Sequence, residues 1–169
     1  RVQQEEIGAV LVDYYKSLFA STDQSVTPSV LECVPTMIMD EMNEVLCCKF
    51  EESEVTKALN QMAPLKAPGP DGMPPLFYQH FWGTVSHDVI SSILMWLNSG
   101  TLPTPLNHTF IALIPKVNSP EYANQFRPIS LCNVLYKIFS KVLANRLKKL
   151  LPSIITEHQS AFTKDRLIS

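Results

Sequence analysis

Between residues 64 and 75 the chain reads Pro64-Leu-Lys-Ala-Pro-Gly-Pro-Asp-Gly-Met-Pro-Pro75. Prolines at this density remove backbone donors and fix φ, so neither a helix nor a central strand can cross the stretch. Gly69 and Gly72 permit positive φ. The chain must therefore build a structured loop here and place its regular elements on either side. The same argument runs along the sequence, where most of the 13 prolines mark boundaries: 103–105, 115–128 and 152. What lies between them predicts a mainly helical α+β chain with one small antiparallel β-hairpin.

Helical periodicity places Ile7, Val10, Leu11, Tyr14, Tyr15 and Leu18 on one side of a helix over 3–19. Residues 20–36 are polar and contain proline, which suits a linker, and 38–46 suit a short helix. Ser53 is a candidate N-cap for a helix through Met62 that presents Val55, Ala58, Leu59 and Met62. A helical region over 76–99, interrupted near Gly83 and stopped by Gly100, repeats Phe77, Phe81, Val85, Val89, Ile93 and Trp96 at helical spacing. Trp82 and Trp96 fit a core better than a platform for stacked bases.

Ile111-Ala-Leu-Ile-Pro-Lys116 and Phe126-Arg127-Pro128-Ile129-Ser130-Leu131 flank a polar loop and read as a β-hairpin whose inner ends carry Lys116 and Arg127. An Arg fork beside a Lys point charge suits a polyanion such as a nucleoside triphosphate. The alternative is a solvated hairpin with ordinary surface cations.

A helix over 133–151 follows. On its wheel Lys137, Lys141 and Lys148 share a narrow stripe, opposite Leu135, Ile138, Phe139, Val142, Leu143 and Leu150. The stripe faces solvent or a phosphate backbone. Arg146 sits among the apolar positions, where an unpaired charge is costly. Either it snorkels to the helix edge or it forms a buried ion pair, with Asp71 as a candidate partner. After Pro152, a short helical turn leads to a segment where Gln159, Phe162, Lys164 and Arg166 mix hydrogen-bonding, stacking and cationic groups. That mixture suits a nucleic-acid strand.

With 169 residues, 46% of them hydrophobic and 18% charged, the chain is globular in composition and near the size of one domain. The net charge of −2 hides an asymmetry. Eleven acids precede Val55 against Arg1, Lys16 and Lys49, while 122–156 holds Arg127, Lys137, Lys141, Arg146, Lys148 and Lys149 without an acid. Binding of nucleic acid by the cationic C-terminal third would be salt-sensitive. No apolar run is long enough to span a bilayer and no secretory signal is visible, so no membrane partner is expected and localisation stays unknown. Cys33, Cys47, Cys48 and Cys132 form no CxxC pair, with no His at ligand spacing, and predict no metal site. An Arg at position 1 and an open end at Ser169 suggest a piece of a longer polypeptide.

Five motifs stand in order: Lys66-Ala-Pro-Gly-Pro-Asp-Gly72, Leu113-Ile-Pro-Lys116, Phe126-Arg-Pro-Ile-Ser-Leu-Cys-Asn-Val-Leu-Tyr-Lys-Ile138, Ala144-Asn-Arg-Leu147 and Gln159-Ser-Ala-Phe162. In this the chain closely resembles the N-terminal part of the reverse transcriptase of non-long-terminal-repeat retrotransposons, the LINE-type elements abundant in plant genomes. The resemblance covers 53–169. It divides the chain into a linker and helical region, 1–50, and a fingers portion, 51–169, of a right-hand polymerase whose palm is incomplete.

The resemblance implies RNA-directed DNA synthesis in the parent enzyme, with Mg2+, deoxynucleoside triphosphates, an RNA template and a DNA primer as its cofactor and partners. It also implies missing palm and thumb portions of the same polypeptide, and a nuclear or cytoplasmic setting. It assigns triphosphate binding to Lys116 and Arg127, template or nucleic-acid binding to Lys66, Lys137, Lys141, Lys148, Gln159, Phe162 and Arg166, and structural roles to Pro68, Gly69, Asp71, Gly72 and Arg146.

Two departures stand out. Thr163-Lys-Asp165 replaces the glycine-containing turn usual before Arg166, which hints at a decayed copy. The sequence also contains no Asp-Asp pair, so no catalytic residue is assigned, no cofactor is expected on this chain, and it is expected to be inactive alone. The other readings are a non-catalytic nucleic-acid-binding module and an inert transposon remnant.

Overall fold

The structure, a computed structural model, describes residues 4–21, 32 and 35–155. Its elements are α1 (Gln4–Leu18), α2 (Asp40–Cys47), α3 (Glu52–Asn60), α4 (Pro75–His80), α5 (Trp82–Ser99), β1 (Phe110–Pro115), β2 (Phe126–Leu131), α6 (Val134–Leu147) and α7 (Leu151–Ile154). The described chain is mainly helical with one two-stranded antiparallel sheet. It forms two compact units: 1–35 with 111–129, and 36–110 with 130–169. The division follows contacts rather than chain order.

The second unit holds the core. Val55, Ala58, Leu59 and Met62 of α3 and its C-terminal turn pack with Val89, Ile90, Ile93 and Leu97 of α5 and Val134, Ile138 and Val142 of α6. Residues four apart on a helix stack on one face, which is why 134, 138 and 142 line up. Trp82 and Trp96 are half-buried against this cluster.

The buried line of α6 is therefore rotated from the expected one: Leu135 and Phe139 lie at its margin and Leu143 is exposed. The helix also ends at Leu147 rather than 151. Lys149 and Leu150 donate to carbonyls three residues back, a tightened turn that precedes Pro152, whose ring would clash with the carbonyl of residue 148 in a continued helix.

Helix α3 starts earlier than Ser53. Glu51 is the N-cap, and its backbone N–H donates to Glu54 Oε2 at 3.0 Å. At its other end the Gln79 side chain donates to Leu59 O at 3.1 Å and Met62 O at 3.0 Å. Leu59 O also accepts from Met62 N–H at 3.0 Å, so the Gln79 amide braces the turn that closes α3. The interruption foreseen near Gly83 falls at Phe81 (φ −96°, ψ 19°), and Gly100 closes α5 in the left-handed conformation at φ 69°.

The Pro/Gly loop is built as a structured unit. Gly72 adopts φ 72° and donates its N–H to Gly69 O at 3.0 Å. Gly69 serves a different need, since a Cβ there would overlap the side chain and backbone of Asn133. Asn133 stands at the N-cap position of α6 yet leaves its own helix uncapped. Its Oδ1 accepts from Asp71 N–H at 3.3 Å, so helix capping is given up to hold the loop. Pro68 is half-buried.

In the first unit, α1 buries Tyr15, whose hydroxyl lies 3.3 Å from both Ala123 O and Phe126 O. The apolar side expected of α1 is largely open: Ile7, Val10 and Leu18 are exposed. Among the described residues no helix is long and apolar enough to cross a membrane.

Candidate nucleic-acid interface

The hairpin's register follows from its strand ends, which pair Phe110 with Leu131 and Pro115 with Phe126. The ladder continues beyond the strands, where Lys116 N–H donates to Gln125 O at 2.8 Å. Arg127 therefore stands opposite Ile114. Because directly opposed residues share a face and alternate residues along a strand return to it, Lys116 and Arg127 project from the same face as diagonal neighbours. Ile111 and Leu113 belong to the other face and line an apolar depression with Leu11 and Tyr15 of α1 and Phe19 just past its end. The cationic face is thus the one turned away from α1. Arg127, Lys116, Ile114 and Ile129 on it are all exposed.

Lys116 is partly engaged. Its ammonium donates to Asn124 O at 2.8 Å, which leaves two of its three donors for a ligand. Ser119, in the loop between the strands, adopts φ 106°, a conformation that non-glycine residues rarely take.

In the second unit, Arg146 is buried and neither snorkels nor meets Asp71. Its Nε donates to Glu54 Oε1 at 2.8 Å and its Nη2 to Glu54 Oε2 at 2.7 Å. The remaining donors go to Leu46 O at 2.9 Å, Lys49 O at 3.0 Å and Cys48 O. The guanidinium carbon lies 3.6 Å from the centroid of the Phe50 ring. The hydrogen bonds from Arg146 hold the Glu54 carboxyl below the usual carboxylate range, with burial opposing them. Asp71 instead accepts from Met73 N–H at 3.1 Å within the loop.

Lysines surround this pair. Lys57 of α3 and Gln61 just past its end face Lys141, Asn145, Lys148 and Lys149 of α6 and its following turn across a groove of about 530 Å³. A second depression, lined by Lys66, Lys137 and Ser140, shares Gln61 and Lys141 with the first. Of the lysine stripe, Lys137 is committed to the fold, since its ammonium donates to Ala67 O at 2.8 Å and ties α6 to the Pro/Gly loop. Lys148 is exposed and Lys141 half-buried at the groove.

Gln159, Phe162 and Arg166 lie outside the described residues, as do Lys164 and Asp165. Lys57 and Glu54 escaped the sequence reading because their relevance depends on α3 lying beside α6. Their helical spacing with Gln61 was the available signal. Among the described residues no three His, Cys, Asp or Glu side chains form a group able to hold a metal ion.

No family model matches the chain. It is similar to several transposon-encoded proteins. It is 28% identical over 158 residues, 92% of the chain, to the Transposon TX1 uncharacterized 149 kDa protein of Xenopus laevis. It is 26% identical over 138 residues, 80% of the chain, to the Retrovirus-related Pol polyprotein from type-1 retrotransposable element R2 of Bradysia coprophila. A third relative, the Retrovirus-related Pol polyprotein from type-2 retrotransposable element R2DM of Drosophila melanogaster, is 28% identical over 149 residues, 78% of the chain. The matched stretch spans 12%, 15% and 14% of these relatives, respectively. The chain is thus related, over most of its length, to retrotransposon polyproteins.

Proposed function

We propose that this chain is the fingers portion of a reverse transcriptase from a LINE-type retrotransposon, the part that holds the incoming deoxynucleoside triphosphate and the template. The observation that carries the reading is the shared face of Lys116 and Arg127, exposed and turned away from α1, on a chain related to retrotransposon polyproteins. Arg127 is free to grip phosphate oxygens with two parallel donors while Lys116 supplies a point charge. The exposed Ile114 and Ile129 beside them offer apolar surface for the sugar or base. RNA template and DNA primer are the other partners, and Mg2+ belongs to the full-length parent enzyme.

The chain supplies binding rather than the chemical step. Phosphoryl transfer needs metal ions clamped between attacking and leaving oxygens, and the sequence has no Asp-Asp pair to hold them. In primer extension the chain alone is expected to incorporate nothing. Photo-crosslinking with a labelled deoxynucleoside triphosphate, followed by peptide mapping, tests the binding role. Adducts within 112–129 are expected, and adducts confined to other segments would overturn it.

A further inference from the structure

We infer that the groove between α3 and α6 is a docking track for the sugar–phosphate backbone of a nucleic-acid duplex, held without regard to base sequence. The inference rests on the reading that the chain works on nucleic acid, and adds which surface meets which form of it. The groove carries four ammonium groups, from Lys57, Lys141, Lys148 and Lys149. Its one carboxylate, Glu54, is consumed by Arg146, so the pair is neutral and the lysines keep their full field. Asn145 and Gln61 add uncharged partners for phosphate and sugar oxygens.

What the groove lacks decides the form of the ligand. No aromatic side chain lines it, and Phe50, the nearest ring to Arg146, is capped by the guanidinium. A single strand draws much of its affinity from bases stacked on aromatic side chains. A duplex keeps its bases stacked inside and offers its phosphates to such a surface. The seven-residue step from Lys141 to Lys148 covers roughly 10 Å along the helix axis, the rise of about three phosphates along one strand.

Fluorescence anisotropy of the full 169-residue chain with labelled RNA–DNA hybrids of two unrelated sequences, and with single strands of equal length, tests this across a salt series. The double variant Lys57→Gln/Lys149→Gln should lose at least tenfold in hybrid affinity, equally for both sequences. Its log Kd against log salt should flatten by about two units, since each phosphate contact contributes about 0.9. Lys148→Gln gives an independent variant at the exposed end. Unchanged affinity and salt slope in both variants, loss confined to one sequence, or tighter binding of the single strand would overturn the inference. So would low-salt self-association abolished by the same variants in the absence of hybrid binding, which would assign the groove to the acidic N-terminal region of a second copy. Triphosphate titration separates the two claims: a wild-type chain that binds triphosphate but no hybrid sinks the groove alone, and one that binds hybrid but no triphosphate sinks the hairpin reading alone.

Discussion

Arg146 and Glu54 meet through two parallel hydrogen bonds, Nε to Oε1 at 2.8 Å and Nη2 to Oε2 at 2.7 Å, between helices 92 residues apart in sequence. The same guanidinium satisfies the carbonyls of Leu46, Cys48 and Lys49. One side chain thereby fixes α6 to α3 and to the end of α2. Arg146→Met leaves a carboxylate without its partner and removes donors from three carbonyls. It is expected to cost about 3–5 kcal/mol, the range for breaking a buried pair from one side, as measured by urea unfolding. Arg146→Lys, which keeps the charge but not the fork, should not restore wild-type stability. Wild-type stability in Arg146→Met would refute the role given to the pair.

Acid should weaken the fold through Glu54. Its carboxyl is held below the ordinary range of 4.5 mainly by the Arg146 hydrogen bonds. A carboxyl with a depressed folded-state pKa adds stability above its unfolded pKa and loses it as pH falls through the folded value. Stability measured by denaturant titration should therefore decline below the usual carboxylate range, and Glu54→Gln should remove that part of the decline while lowering stability at neutral pH. An unchanged acid profile in Glu54→Gln would contradict the assignment.

The two glycines of the Pro/Gly loop should respond differently. Gly69→Ala drives a methyl into Asn133, an overpacked contact that costs about 1–3 kcal/mol. At Gly72 a Cβ would meet open space, and only the positive φ of 72° opposes it, which costs roughly 1–2 kcal/mol. Because the overlap at Gly69 includes backbone atoms of Cys132 and Asn133, Asn133→Gly should rescue neither Gly69→Ala nor Gly72→Ala, and Gly69→Ala should be the more damaging of the two. Thermal unfolding of the four variants decides between these outcomes.

Periodicity and punctuation carried most of the local structure. β2 spans the expected Phe126–Leu131 while β1 runs one residue earlier than expected, Phe110–Pro115; Val89 and Ile93 of the expected stripe are buried but Phe81 is exposed, and Gly72 and Gly100 take the positive φ their positions suggest. Arg146 was legible as an anomaly because a cation interrupts an apolar face. Its partner was not legible, because spacing within one helix carries no information about an acid 92 residues away. Asp71 was the nearest plausible acid by chemistry and is used by its own loop instead. The groove stayed hidden for the same reason: Lys57 reads as an ordinary surface lysine until α3 is placed beside α6. The start of α3 moved because Glu54 both caps the helix and binds Arg146, a double use that Ser53 as a cap could not anticipate.

The central claim is that the face bearing Lys116 and Arg127 takes a nucleoside triphosphate. Equilibrium titration of the chain with a fluorescent deoxynucleoside triphosphate tests it, using wild type, Arg127→Ala and the groove variant Lys57→Gln/Lys149→Gln. Losing a charge-assisted fork is worth about 1.5–3 kcal/mol, so Arg127→Ala should bind at least roughly tenfold more weakly while the groove variant binds as wild type does. Equal affinity in wild type and Arg127→Ala would contradict the account.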